Sequence, residues 1–306
     1  MPELPEVEVV RAGLEPAVAG ATVTAVNVFD GRSLRRHDGP SEDFVDRMTG
    51  ARLAAPRRRG KFLWVPIDPP GGSGHEAEAL VVHLGMSGQV LLREPDAQRD
   101  RLTRISFDIA HPLHPVLRVD FVDQRIFGSM SIDRLVESGD VPGDLVPSQV
   151  SHIARDPMDP AFDDAAFFAK LAKRNTGIKR ALLDQTLISG IGNIYADEAL
   201  WAARIHYDQP TATLSRPRAK TLLAEVRLVL GKALAEGGTS FDAQYLNVNG
   251  ESGYFSHSLN AYGQQGLPCP RCGRPIVREQ FMNRGSHFCP YCQRVRTSTP
   301  PHRRPE

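Results

Sequence analysis

Lysine is scarce in this chain of 306 residues: there are six, and Lys61 is the only one before residue 170. Lysine nucleophiles are correspondingly few. Cysteine is scarcer still, with four residues confined to positions 269–292. That excludes a disulfide framework spread through the fold and makes a local metal site the first thing to test. No apolar run approaches the ~18 residues that a membrane-spanning helix needs. The opening Met1-Pro2-Glu3-Leu4-Pro5-Glu6 is acidic and broken by prolines. It lacks the basic start and apolar centre of a signal peptide, so a cytoplasmic location is expected. An excess of one charge is missing too: 37 basic against 36 acidic side chains leave +1, which says nothing about a polyanionic partner. What is present is the composition of a globular chain, 41% hydrophobic and 24% charged, with length for two domains at the usual ~150 residues each.

The distribution of charge is more telling than its sum. Arg52, Arg57, Arg58, Arg59 and Lys61 fall within ten residues that hold no acid, and residues 270–306 hold eight arginines against Glu279 and Glu306. Residues 133–164 hold eight acids and two arginines. Two basic patches offset by an acidic stretch are compatible with nucleic-acid binding, and equally with solvated surface charge.

The first ~135 residues read as strands after one opening helix. Pro5 suits a first helical position, and Glu6 and Glu8 lie in the first turn, where the helix dipole favours acids. Short β-branched or alternating runs follow at Ala21–Phe29, Phe62–Ile67, Ala79–Leu84, Gln89–Arg93, Arg104–Ile109 and Val116–Val122, and Pro69–Gly74 reads as a surface insertion. Residues 136–160 are rich in Pro, Asp and Ser without periodicity and read as a linker. Helices are expected at Ala165–Lys173, Ile178–Leu187, Asn193–Ala203 and Arg218–Glu236. The last carries an apolar stripe of Leu222, Leu223, Val226, Val229, Leu230, Ala233 and Leu234, stopped by Gly237-Gly238. Strands first and helices later mean segregated α+β or two domains.

Three segments carry chemistry. Cys269, Cys272, Cys289 and Cys292 form C-x2-C-x16-C-x2-C, a spacing that can close a tetrahedral thiolate shell around Zn²⁺, with two disulfides or free thiols as the alternatives. Between the pairs, Asn283-Arg284-Gly285 is a hairpin-turn signal that would present Arg284 at the tip, where a guanidinium suits phosphate. Ser189-Gly190-Ile191-Gly192-Asn193 lies between two helical segments. It can aim free N–H groups at an anion or be a plain turn capped by Asn193. Lastly, removal of Met1 would leave Pro2 with a secondary α-amine, whose pKa near ~8 leaves it deprotonated far more often than lysine. A neutral amine can attack an electrophilic carbon and form an iminium, with the adjoining Glu3 moving protons. The alternative is an ordinary charged terminus.

Assembled in order, these segments resemble the bacterial formamidopyrimidine-DNA glycosylases, the family shared with endonuclease VIII. The likeness rests on the start PELPEVE, Arg59-Gly60-Lys61, His83-Leu84-Gly85-Met86-Ser87-Gly88, Asp123-Gln124-Arg125-Ile126-Phe127-Gly128, Leu183-Asp184-Gln185, Gly190–Glu198, Gly237-Gly238-Thr239 and the four-cysteine finger. It covers nearly the whole chain.

The resemblance implies an α+β fold: an N-terminal β-sandwich with an opening helix, a helical helix-two-turns-helix domain and a zinc-ribbon finger. The boundaries expected are 1–135 for the catalytic sandwich, 136–160 for the linker, 161–263 for the helical DNA-binding domain with a lesion-recognition loop at 239–255, 264–297 for the finger and 298–306 for a disordered tail. It implies Pro2 as nucleophile, Glu3 as acid and base, Lys61 in β-elimination and Arg284 in δ-elimination. A guanidinium pKa above ~12 suits Arg284 to clamping phosphate better than to donating a proton.

Asn193, Lys179 and Arg174 match DNA contacts. Glu198 falls on the pattern as a structural acid near the terminal amine, and Glu6 is counted with it at the DNA site. Met86, Arg125 and Phe127 match the residues that fill the gap left by a flipped nucleotide. Leu102 and Ile126 depart from the family, standing where relatives often have histidine and arginine.

The function so implied is a bifunctional repair enzyme. It excises oxidised purines such as 8-oxoguanine and formamidopyrimidines from duplex DNA and then cleaves the abasic strand by β,δ-elimination. It is expected to act as a monomer in the bacterial cytoplasm, at the nucleoid, with one structural zinc. The alternatives are an oxidised-pyrimidine enzyme like endonuclease VIII and a non-catalytic zinc-dependent DNA-binding protein. Leu4 favours the purine branch, and Pro2, Glu3 and Lys61 argue against a protein that only binds.

Overall fold

The computed structural model describes residues 2–69, 77–238, 248 and 258–296. Most of the expected 239–255 loop, nearly all of the Pro69–Gly74 insertion and the 298–306 tail lie outside them. The chain divides into two units, Met1–Ala154 with Lys232–His257, and Arg155–Gly231 with Ser258–Glu306. Residues 232–257 thus belong with the first unit, where the sequence alone had grouped 161–263 together.

In the first unit, helix α1 (Leu4–Val18) begins one residue before Pro5, with Glu3 as its N-cap, and buries Val7, Val10, Leu14 and Val18. The strands are β1 (Thr22–Val28), β2 (Arg52–Leu53), β3 (Arg57–Arg59), β4 (Phe62–Asp68), β5 (Glu78–His83), β6 (Gly88–Arg93), β7 (Thr103–His111), β8 (His114–Asp123), β9 (Ser129–Glu137) and β10 (Leu145–Pro147). They form one antiparallel ladder in the order β10-β9-β5-β4-β2-β1-β7-β8-β6, with β3 on β4. Thr22↔Arg52 sets the register of β1 on β2, and the Leu53 amide donates to Ala21 O and the Val23 amide to Ala51 O beside it. Leu63, Val65, Leu80, Val82 and Met130 from one arm share a single apolar cluster with Val23, Ile105, Phe107, Ile109 and Phe121 from the other, and α1 joins it. That shared interior is the expected sandwich.

Several elements were not read from the sequence, among them the strands β2, β3 and β9. Helix α2 (Ser41–Met48) buries Phe44 and Met48 completely; two anchors in eight residues make too short a pattern to register. The supposed linker also carries regular structure. β10 pairs with β9, and Val146, Val150 and Ile153 cover the outer-face residues Trp64, Ala79 and Val81 in a second cluster.

The second unit has α3 (Asp164–Ala172), whose cap Asp163 accepts the Ala165 and Ala166 amides, then α4 (Ile178–Leu182) and α5 (Asn193–Ala202). Helix α6 (Arg216–Ala235) runs from this unit into the first. Its residues Leu222, Leu223, Val226, Leu230 and Ala233 are buried, while Val229 and Leu234 are half-buried. α4 ends five residues earlier than expected. Gln185 then staples the connection to α5, donating to Leu183 O and Ile191 O, both at 3.0 Å, and accepting the Gly190 amide at 3.0 Å. Gly192 is the cap of α5, and Asn193 its first residue. The finger hairpin is β11 (Val277–Phe281) with β12 (Arg284–Phe288), where Phe281 faces Arg284. Met282 and Asn283 make the turn, Met282 at φ 53°. Arg284 therefore opens the return strand and is not at the tip.

Candidate catalytic and nucleic-acid-binding residues

Pro2 is buried immediately before α1. Glu3 is 2% exposed, and its amide donates to Glu6 Oε2 at 2.8 Å. Glu6 therefore fixes the backbone next to Pro2, a helix-capping role. Gly238, at φ +84°, stands so close that a Cβ there would lie 3.0 Å from Glu6 Oε1.

Lys61 is 8% exposed and follows Gly60, whose φ of 57° closes the turn from β3 to β4. The basic run around it is largely neutralised. Arg58 pairs with Glu8 at 2.8 Å and Arg59 with Asp144 at 2.9 Å, which leaves Arg52 and Arg57 as its exposed members. A solvated basic face is thus the wrong description of residues 58–61.

His83, quoted in a motif but given no role there, ends β5. Its Nδ1 accepts the Gly85 amide at 3.2 Å, which leaves the N–H on Nε2. Burial, with Arg36, Arg35 and Lys61 nearby, lowers its pKa to about 4. A neutral N–H donor among three cations is a favourable setting for an anion.

Asp123 organises the turn between β8 and β9. It is fully buried and accepts Ser87 Oγ at 2.5 Å, the Arg125 amide at 3.1 Å and the Gly128 amide at 2.7 Å. Phe127 is 44% exposed, with the Arg125 guanidinium 4.9 Å from its ring centroid. Met86 is half-buried.

In the second unit, Lys179 has no exposed surface. Its Nζ lies 2.7 Å from Asp197 Oδ1 and donates to Ser286 Oγ at 2.8 Å and Gly285 O at 3.2 Å. Asp197 Oδ2 accepts the His287 amide at 2.8 Å, and Asn193 Nδ2 donates to the same Gly285 carbonyl at 3.1 Å. Lys179, expected to touch DNA, instead fastens the finger hairpin to α4 and α5. Glu198 is committed as well, accepting the Ala261 and Tyr262 amides, each at 2.8 Å, and that of Asn260 at 2.9 Å. Burial raises its pKa against the pull of those amides. It holds the chain entering the finger.

Arg174 is exposed and paired with Asp184 at 2.8 Å. Arg284 is exposed, donates to Asn283 Oδ1 at 3.2 Å and has no carboxylate partner among the described residues. With Arg278, Gln280, Asn283 and Gly285 it lines an open groove of about 390 Å³. A Cβ at Gly285 would stand 2.4 Å from Arg278 Nε, so that side chain would have to move.

The four cysteine sulfurs lie within 4.8 Å of one another. Burial raises the Cys269 thiol, but hydrogen bonds from Trp201 Nε1 and the Arg271 and Cys272 amides outweigh it and hold the pKa at about 7. Four soft donors at this separation fit Zn²⁺. A complete thiolate shell leaves no open position, so the ion is structural.

Profiles of known families match in the same order: the formamidopyrimidine-DNA glycosylase N-terminal domain over residues 1–130, the formamidopyrimidine-DNA glycosylase H2TH domain over 153–244, and the zinc finger found in FPG and IleRS over 266–295. The formamidopyrimidine-DNA glycosylase of Leifsonia xyli subsp. xyli is 65% identical over 302 residues, covering 96% of this chain and all of that protein. That of Streptomyces avermitilis is 55% identical over 96% of this chain and 98% of its own. The chain belongs to the formamidopyrimidine-DNA glycosylase family. Among solved structures, Lactococcus lactis Fpg with DNA containing an abasic site aligns at a TM-score of 0.78 and 30% identity, over 95% of this chain and 99% of that one. The wild-type Lactococcus protein with DNA containing N7-benzyl-Fapy-dG aligns at 0.79 and 31%, over the same shares.

Proposed function

We propose that this formamidopyrimidine-DNA glycosylase uses the imino nitrogen of Pro2 as its nucleophile and Glu3 as its proton carrier. The family makes the chain a DNA repair glycosylase and AP lyase acting on duplex DNA with oxidised purines or abasic sites. The observation that carries the residue assignment is the burial of Glu3 directly after Pro2, with its amide fixed by Glu6. A carboxyl directly beside the terminal nitrogen is placed to donate a proton and then to accept one.

In the reaction so assigned, Met1 is removed and the Pro2 lone pair attacks C1′ of a nucleotide extruded from the stack. The bond to the base breaks, its electrons and a proton leave with the base, and the sugar ring opens to an iminium. β-Elimination next takes a proton from C2′ and breaks the bond to the 3′ phosphate, with Lys61 assisting. δ-Elimination releases the 5′ phosphate, whose charge Arg284 stabilises. Phe127, Arg125 and Met86 occupy the space that the extruded nucleotide leaves. Asn193, Arg174 and Arg284 bind phosphates. Zinc, when bound by Cys269, Cys272, Cys289 and Cys292, maintains the finger and takes no part in bond-breaking. No helix among the described residues is long and apolar enough to cross a membrane, and the enzyme acts as a monomer on nucleoid DNA in the cytoplasm.

Borohydride reduction on a duplex carrying 8-oxoguanine opposite cytosine tests this. The trapped adduct should map to the peptide beginning with Pro2, and a chain extended by one residue ahead of Pro2 should trap nothing while still binding duplex. An adduct on Lys61 would overturn the nucleophile.

A further inference from the structure

The turn after β8 has a shape that its own sequence disfavours. Ile126 sits at φ 56°, the left-handed region that β-branched residues avoid, so contacts from elsewhere must impose it. On the amide side these are Asp123 and Gly85. Gly85 lies so close that a Cβ would be 2.3 Å from Phe127 C and 2.4 Å from Gly128 N.

On the carbonyl side there is one residue from about ninety positions away. Arg35 follows the 3-10 turn Gly31–Leu34. Its Nη1 donates to Ile126 O at 3.1 Å and Gly128 O at 2.7 Å, and its Nη2 to Phe127 O at 2.5 Å. Three consecutive carbonyls converge on one guanidinium because the left-handed Ile126 breaks the alternation of extended backbone. The result is a backbone gripped on both sides around a phenylalanine that is left outside.

We infer that Arg35 is a positioning residue for lesion extrusion, holding the 126–128 backbone so that Phe127 projects as a preformed wedge. The inference rests on the wedge role of Phe127 proposed above. A planar fork with several fixed donors meets three carbonyls at once; the compact ammonium of lysine keeps the charge but not that geometry. Arg35 is also exposed and could simply touch phosphate, a role that lysine would fill.

The test measures kcat/KM for base excision by wild type, Arg35→Lys, Phe127→Ala and the double variant Arg35→Lys/Ile126→Gly. The substrates are a duplex with 8-oxoguanine opposite cytosine and one in which the nucleotide opposite the lesion is missing. Arg35→Lys should lose about tenfold or more on the intact duplex, the scale of one or more lost charge-assisted hydrogen bonds. It should be close to wild type where no partner base needs support. Salt dependence of binding should be unchanged. Glycine adopts positive φ freely, so the double variant should recover part of the loss. Wild-type activity of Arg35→Lys beside an impaired Phe127→Ala would sink the Arg35 inference alone, as would equal losses on both duplexes or a shallower salt slope. An unimpaired Phe127→Ala would instead remove the wedge reading.

Discussion

At the end of β5, His83 stays neutral because burial and the charges of Arg36, Arg35 and Lys61 oppose its proton, and its pKa of about 4 couples stability to pH. The unfolded chain takes up that proton near pH 6.5 and the folded protein only near 4. Folding stability is therefore complete above pH 6.5 and declines as pH falls toward 4, by on the order of 3 kcal/mol from this residue. Denaturant unfolding at pH 7 and pH 4.5 should show the decline in wild type and a shallower one in His83→Gln; equal slopes would mean that other groups dominate. His83 also marks a limit of sequence reading. A lone histidine gives no sign of its protonation, which is set by burial and then by three cations, all placed by tertiary structure. The chemistry proposed for Pro2 and Glu3 needs only their adjacency along the chain, which the sequence shows directly.

Among the elements, strands with sustained apolar runs were found within one or two residues, and α6 likewise. What escaped were the strands β2, β3 and β9 and two pieces whose apolar residues are few and separated: α2, with Phe44 and Met48, and β10 with the turn after it, where Val146, Val150 and Ile153 each come singly. Their partners, Trp64, Ala79 and Val81, lie on the outer face of distant strands, and no local pattern announces such a pairing. Lys179 failed for the opposite reason. A lysine in a DNA-binding family reads as a phosphate contact, and only the fold shows it enclosed between α4, α5 and the finger hairpin. Lys179→Met should strand Asp197 without its counter-ion, costing ~3–5 kcal/mol and lowering the melting temperature by roughly 10 °C. Zinc content should stay unchanged and strand cleavage should fall as Arg284 shifts. If Lys179 were instead a phosphate contact, melting would be unaffected and the salt dependence would change.

For the whole molecule, a net charge of +1 does not say which cations remain available to DNA once internal pairing is counted. Arg58, Arg59 and Lys179 are all committed to acids. Binding should still weaken with salt, log K falling linearly in log salt by ~0.9 for each phosphate neutralised. Arg284→Ala should reduce that slope by ~1, whereas Lys179→Met should lower affinity and leave the slope alone. A slope near zero for wild type would mean that the exposed arginines are ordinary surface. Chelation of zinc, or Cys289→Ser, should abolish binding while the strand-rich first unit remains folded by circular dichroism. A metal-free protein with full activity would refute that.

The enclosed Lys179–Asp197 pair, with Ser286 and His287 around it, also constrains how this sequence can drift. Replacing either member of the pair alone leaves a buried charge unmatched, so the intermediate genotype is the least stable point on the path. These positions should therefore change in concert over evolutionary time or not at all. An ancestor that exchanged the ion pair for an apolar one must have altered both helices within a narrow interval.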